Sequence, residues 1–358
     1  MAIAANMNIL SSHQLPTRTF PSSDHLFHFN NNINKHQLNC FKTITDAAPL
    51  ILDSGSRGWA EFGEKVSGEW DGFGAEFTVD GKALQLPESV VPNAYREWDV
   101  QVFDWQTQCP TLATQYPNDD DSPVSLFYKN IKLLPTVGCE ADAATIYTVQ
   151  ERHSHHSSAF AYHSTTGSYI ALWPDNNNNN NNNKKVELEL EHCLIDPSNR
   201  ESRVRVIQVL GQELRLKSIR VFVEQWYGPF RNGDQLGGCA IRDTAFAATQ
   251  PLDASLVSGL WEGLAALATF PTCQNDHQQL DGEFALKSIR DEGDLILLPR
   301  QLWCSVKRAE EDETGCCCEV GWLLGRGRAI TSKCTFSSSG ELKVLGEIAL
   351  ARETAATM

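Results

Sequence analysis

Three clusters in this chain carry side chains that can do chemistry. Arg152-His153-Ser154-His155-His156 sets three imidazoles within four residues. On a strand His153 and His155 point to one side, as paired ligands of a transition metal do. No cysteine or acidic partner lies nearby at the fixed spacing of a metal site, so the cluster reads as a solvated loop or strand end. Cys316-Cys317-Cys318 follows Glu310-Glu311-Asp312-Glu313. Adjacent thiols on a strand alternate in direction and cannot all face one ion. Neighbouring carboxylates raise a thiol pKa and slow its reactions. Glu97, Asp99 and Asp104 stand among Trp98, Phe103 and Trp105. A carboxylate beside aromatic rings in a cavity acts as a general acid or orients a polar ligand group. The competing reading is outward charge on a half-exposed strand. Gly-x-Ser-x-Gly, the phosphate-binding Gly-Lys-Ser/Thr loop and the dinucleotide fingerprint are all absent, and Gly325-Arg326-Gly327-Arg328 is too short to replace them. No catalytic or metal-binding residue is assigned, and the chain reads as a non-enzyme.

The elements that position these residues are constrained by composition. The 358 residues suffice for two domains, and 41% of them are hydrophobic, the proportion of a globular protein. No apolar run approaches the roughly 20 residues of a membrane helix. The net charge is −15. Residues 1–45 hold three bases (Arg18, Lys35, Lys42) and one acid (Asp24), so without them it is −17. An acidic surface repels phosphate backbones, and no basic stripe opposes it, so nucleic acid is excluded as a partner. Residues 1–45 are acid-poor and rich in Ser, Thr, Asn and His, without a secretory apolar core. That is the composition of an organellar transit peptide, most like a plastid one, or else of a plain disordered N-terminus; the expected location is the chloroplast. The eleven cysteines form no paired Cys-x-x-Cys, and without a secretory signal they read as small buried apolar residues.

Gly68-Glu69-Trp70-Asp71-Gly72 recurs as Gly259-Leu260-Trp261-Glu262-Gly263, 191 residues on. Between and beyond these motifs the chain alternates with period two in short runs. Glu97 to Trp105, Ser125 to Leu134, Ala144 to Glu151, Ala159 to Tyr162 and Tyr169 to Trp173 are strand candidates. Val186, Leu188 and Leu190 alternate with Glu187, Glu189 and Glu191, the pattern of a half-exposed antiparallel strand. Arg203 to Leu210 and Leu214 to Trp226 form a hairpin. After the second motif come Glu283 to Ile289, Asp294 to Leu298, Trp303 to Arg308, Cys316 to Leu324, Ala329 to Phe336 and Glu341 to Arg352. Gln212-Glu213-Leu214-Arg215 is echoed by Gly340-Glu341-Leu342-Lys343, so the halves share closing as well as opening motifs, which argues for duplication. Helix is expected over 46–66, where Trp59, Phe62 and Val66 share one face, and more weakly over Val257 to Leu267. The expected organisation is a disordered transit peptide (1–45), a helical lead-in (46–66), a first antiparallel β-barrel (67–227) with a disordered asparagine loop (176–183), a linker (228–254), and a second barrel (255–355).

In such a barrel a tryptophan near the start of the first strand plugs one end, and a glycine beside it lets the backbone coil. A cation from a late strand can lie over the indole. The barrel-closing set is Gly68, Trp70, Gly259 and Trp261, with Arg205 or Arg220 over the first ring and Arg328 or Lys333 over the second. Nine tryptophans, among them Trp105, Trp173, Trp226, Trp303 and Trp322, then fill or line the barrels.

Gly68 to Phe77, Pro87 to Pro92, Tyr95-Arg96-Glu97-Trp98 through Gln106, and Gly321-Trp322-Leu323 resemble the lipocalin-like (calycin) proteins. They are closer to an uncharacterised cyanobacterial and plant family of tandem lipocalin-like domains, DUF3598-like, over about residues 55–355. That family is distantly similar to the lipocalin-like lyases that attach bilins. A tyrosine expected in the closing hairpin is here Cys334 or Phe336. The resemblance implies an all-β protein of two tandem antiparallel barrels that holds a small apolar ligand, such as a pigment, tetrapyrrole or lipid, without catalysis. Tyr95, Arg96, Trp98, Trp105, Trp303 and Trp322 are the ligand-binding candidates. One alternative is an accessory factor that assembles a photosynthetic complex through its surface and a plastid protein partner. The other is a chromophore-delivering enzyme, which requires Glu97, Asp99 or Arg96 to point into a cavity.

Overall fold

The computed structural model describes residues 55–114, 124–137, 145–174, 187–234, 245–270, 277–308, 315–325, 327–337 and 341–352. The proposed transit segment and the asparagine run lie outside them. The described part is mostly β. Helix α1 (Gly55–Val66) buries Trp59, Phe62 and Val66, the residues spaced along one face. In the first half, β1 (Glu69–Phe77), α2 (Asn93–Glu97), β2 (Asp104–Gln108), β3 (Thr111–Thr114), β4 (Ser125–Leu133), β5 (Ile146–His153) and β6 (Ala159–Tyr162) follow. Then come β7 (Tyr169–Pro174), β8 (Leu188–Asp196), β9 (Asn199–Leu210) and β10 (Leu216–Gly228). The second half holds β11 (Gly259–Thr269), β12 (His277–Gln279), β13 (Asp281–Arg290), β14 (Ile296–Leu298), β15 (Leu302–Arg308), β16 (Gly315–Gly325), β17 (Arg328–Ser337) and β18 (Leu342–Arg352).

Two readings of the local pattern are corrected. The segment from Glu97 to Trp105 is not one strand. Pro92 precedes the short helix α2, and Asp99 sits at φ 54, a left-handed conformation that no strand accommodates. Only Asp104 onward is extended. The weak helix candidate Val257 to Leu267 is strand β11. Trp261 and Ala265 face one side of it and Ala266 and Ala268 the other, in different apolar clusters. A short run apolar on both faces has no period that separates helix from strand.

The strands form two curled sheets, of eleven and seven strands. In the first, β1 bonds to both β2 and β10, so the opening strand meets the closing one. The second repeats this, with β11 between β13 and β18. β2 and β3 both pair with one side of β4, and β5 pairs with its other side. The two sheets pack face to face. Phe73, Phe77, Val206 and Val221 meet Leu298, Leu302, Cys304, Val320 and Ile330 in one buried cluster. Ile170, Leu172 and Leu190 meet Cys316, Cys318, Cys334 and Phe336 in another. β12, from the second half, adds to the first sheet in parallel with β6. Part of the connecting segment is also core: Phe246, Leu252 and Val257 are buried.

This packing overturns the reading of the alternating strand around Leu188. Leu190 and Leu194 face the second sheet, and Glu189 and Glu191 turn into the hollow of the first sheet rather than to solvent, while Glu187 stays at the surface with Lys217. Glu191 is 0% exposed.

Candidate functional site

The hollow of the first sheet is lined by charged and aromatic side chains at alternate positions of β1, β4, β5, β8, β9 and β10. At its closed end Trp70 donates from Nε1 to the Val66 carbonyl over 2.9 Å, and the Arg203 guanidinium lies 4.2 Å from the ring. Arg203 donates from Nε to Glu224 over 2.6 Å and from Nη1 to Thr111 over 3.2 Å. Arg205, two residues on, binds Glu224 through Nη2 at 2.8 Å and Glu191 through Nη1 at 3.2 Å. Its guanidinium is held between Tyr128 and Phe222, at 5.0 and 4.6 Å. The ring of Phe222 lies where a Gly74 side chain would be.

Glu191 is the hub. It accepts from Tyr128 (2.5 Å), Tyr169 (2.9 Å), Trp173 (2.7 Å) and Arg205. Burial alone would raise its pKa, but Arg205 and Arg152 hold it below the usual carboxylate range. The same contest holds Glu224 down, through Arg203 and Arg205. Toward the open edge, Arg152 lies over Trp173 at 5.0 Å and pairs with Glu189, which Arg220 also binds. Lys132 sits 5.3 Å over Trp105 and 3.6 Å from Glu76. Burial lowers its pKa. A bulge between Lys132 and Leu133 brings Tyr147 onto the same side, where it stacks on Trp105 at 4.8 Å. Thr148 and Gln150 of β5 are exposed, so the lining reaches solvent there.

The second sheet repeats the closed end. Trp261 donates to the Val257 carbonyl over 2.8 Å. Arg290 lies between Trp261 and Trp303, at 5.8 and 5.3 Å, and donates to Glu319 over 2.7 Å. Lys333 binds the other Glu319 oxygen at 3.0 Å. Against burial, Lys333 and Arg290 bring Glu319 down to about 2. Gly321 makes room for Trp303, since a Cβ there would lie 2.0 Å from the ring. Gly68 and Gly259 both take positive φ, 147° and 102°, which glycine alone adopts without strain.

Set against these positions, the expected site residues divide. Trp70 and Trp261 are both fully buried, but the cations over their rings are Arg203 and Arg290 rather than Arg205, Arg220, Arg328 or Lys333. Arg205 and Arg220 belong to the network further along, and Arg328 is exposed at the start of β17. Of the ligand candidates, Trp105 lines the open edge and Trp303 the second hollow. Trp322 packs instead between the sheets. Tyr95 packs beside Trp105, with its hydroxyl on the Thr136 carbonyl at 2.8 Å. Arg96 is exposed and holds Asn93, and Trp98 is 61% exposed. Glu97 and Asp99 are also exposed, while Asp104 faces away and accepts from Ala247 over 3.2 Å. Glu191, Arg152, Arg203, Glu224, Arg290 and Glu319 were not anticipated. The matched spacing of Glu189-x-Glu191 and Arg203-x-Arg205, on the neighbouring strands β8 and β9, was a signal for four of the lining positions.

The histidine rings cluster at the end of β5, with His155 and His156 exposed and 4.0 Å apart. Cys316 and Cys318 face the core between the sheets, with Cys334 opposite Cys318, whereas Cys317 is disulfide-bonded. Among the described residues no three His, Cys, Asp or Glu side chains are grouped to hold a metal ion, and no helix is long and apolar enough to cross a membrane.

No family model matches the chain, and no curated protein does. Among solved structures it is similar to a protein of unknown function from the DUF3598 family of Nostoc punctiforme. The identity is 12%, over 82% of this chain and 98% of that one, with a TM-score of 0.48. It is also similar to the outer membrane phospholipase A of Escherichia coli (8% identity, 79% and 90% covered, TM-score 0.18) and to that of Salmonella typhi (7% identity, 80% and 90% covered, TM-score 0.18). At these identities nothing about function follows.

Proposed function

We propose that this chain is a DUF3598-like plastid protein of two tandem lipocalin-like barrels, and that its first half holds a small, largely apolar ligand without transforming it. The observation that carries this reading is the open edge. There Trp105 and Tyr147 stack beside Lys132 at the solvent end of the hollow. A flat or extended apolar body gains contact with those rings and leaves the closed end undisturbed. The non-catalytic part rests on the lining carboxylates, since Glu189, Glu191 and Glu224 are all committed to arginines. A delivering enzyme draws no support from Glu97 or Asp99, which are exposed. The surface-acting alternative is favoured by one feature, the exposed Trp98 beside α2.

Native mass spectrometry of purified full chain after exposure to chloroplast lipid and pigment extracts tests the proposal. A retained small molecule, lost on Trp105→Leu, is expected. A chain that stays colourless and ligand-free sinks it. The plastid location rests on the composition of residues 1–45, and a fluorescent fusion of that segment should enter chloroplasts.

A further inference from the structure

Glu191 has no lone pair left for a further hydrogen-bond donor. A carboxylate offers about four lone-pair sites, and Tyr128, Tyr169, Trp173 and Arg205 each donate to it. Arg152 therefore reaches it only at 3.6 Å, and its Nη1 makes no hydrogen bond, although the residue is only 8% exposed. The carboxylate that does bind Arg152, Glu189, is shared with Arg220. Along this hollow Arg152, Arg203, Arg205, Arg220 and Lys132 meet Glu76, Glu189, Glu191 and Glu224, so five cations face four carboxylates in a largely buried place. Uncompensated buried charge is costly, and an anion relieves it.

Two more polar groups on the same face as Arg152 lack partners. Asn130 Oδ1 and Thr107 Oγ1 make no hydrogen bond, with the residues 5% and 0% exposed. The register sets them on one face of neighbouring strands. Tyr128 stands opposite Arg152 and Asn130 opposite Gln150, so Asn130 is the diagonal neighbour of Arg152 on one face. Thr107 stands opposite Lys132 on the other side of β4, on the face where Gly72 of β1 leaves no side chain. Arg152, Asn130, Lys132 and Thr107 thus share one face of the adjoining strands β5, β4 and β2, and the Asn130 carboxamide can present either end to an anion. The carboxylates nearby are Glu76, Glu189 and Glu191, each already engaged.

We propose that these residues bind the carboxylate of an otherwise apolar acid, anchored by Arg152, with its apolar body directed outward along Trp105 and Tyr147. The inference rests on the ligand-holding reading above and names the head group that reading leaves open. Two sources carry such a head group, a long-chain fatty acid and the propionate of a tetrapyrrole.

The test titrates the purified full chain with palmitate and with protoporphyrin IX, and in parallel with palmityl alcohol and protoporphyrin IX dimethyl ester, following tryptophan fluorescence and calorimetry. One acid is expected to bind about tenfold or more tighter than its neutral counterpart, and which acid does so identifies the source. Arg152→Gln should abolish that preference while leaving the neutral compound's affinity in place. Should Arg152→Gln fail to fold, Thr107→Val and Asn130→Leu disturb no ion pair. Each should weaken acid binding several-fold without lowering the melting temperature. Equal binding of acid and neutral forms, or a preference unchanged in all these variants, overturns the carboxylate site and leaves the ligand-holding reading standing. Binding of none of the four compounds overturns both.

Discussion

Glu191 shows how much one buried carboxylate organises. It ties β4, β7 and β9 to β8 through four hydrogen bonds. Glu191→Gln keeps the shape but leaves Arg205 and Arg152 short of counter-charge. Breaking a buried pair in this way costs about 3–5 kcal/mol, so urea unfolding should show a loss of that order. His192 makes a second residue-scale prediction. It is fully buried between the sheets, with Nδ1 2.7 Å from Ser332 and Nε2 3.3 Å from Gln208. Burial lowers its pKa from 6.5 to about 4. A histidine held neutral in the fold takes up its proton more readily when unfolded, so its contribution is complete above pH 6.5 and is lost as pH falls to 4. Asp71 and Asp104, raised to about 6 by burial, act in the opposite sense and stabilise as pH falls. The effect of His192 is therefore read as a difference. Relative to His192→Gln, the wild type should lose about 3 kcal/mol between pH 7 and pH 4 in denaturant titrations; parallel curves would contradict this. The charged partners themselves were partly legible, because Glu189, Glu191, Arg203 and Arg205 recur at period two. Their burial was not, since alternation alone does not distinguish an acidic face in water from one that meets arginines.

At the scale of elements, the duplicated opening motif does the same work twice. Trp70 and Trp261 each reach back four residues to a valine carbonyl, and each carries an arginine near its ring. The arginines come from non-equivalent places: Arg203 is on β9, two strands from β1, and Arg290 on β13, next to β11. That is why a cation sought on a late strand of each half was the wrong partner. The second hollow adds Trp303, which needs Gly321 bare. Gly321→Ala should cost about 1–3 kcal/mol through overpacking. Trp303→Leu in the same chain should remove most of that penalty, giving a coupling energy in a thermal double-mutant cycle. Additive losses would mean the ring is not what Gly321 accommodates. The strands over Ala159 to Tyr162 and Tyr169 to Trp173 were readable because turn residues bound them. The segment before Asp104 was misread because its alternating aromatics mimic a strand, while Pro92 and the left-handed Asp99 make it a helix and a loop.

At the scale of the molecule, the halves are joined by more than the chain between them. They share two apolar clusters, the His192–Ser332 contact and the parallel pairing of β12 with β6. Unfolding in urea should accordingly be one transition, coincident by tryptophan fluorescence and far-ultraviolet circular dichroism. Two separated steps would show that the halves stand independently. The sequence by itself determined the β class, the positions of most strands, the repetition of the opening motif and the residues that share a face. These are local properties, set by side-chain period and turn chemistry. Only the tertiary structure decided what covers each face, which arginine meets which indole, and that Glu191 has no lone pair left for Arg152. Those depend on register and on the seating of one sheet against the other. Residues such as Arg152 and Glu189, far apart in the chain, become neighbours only when β5 and β8 are brought across the same hollow.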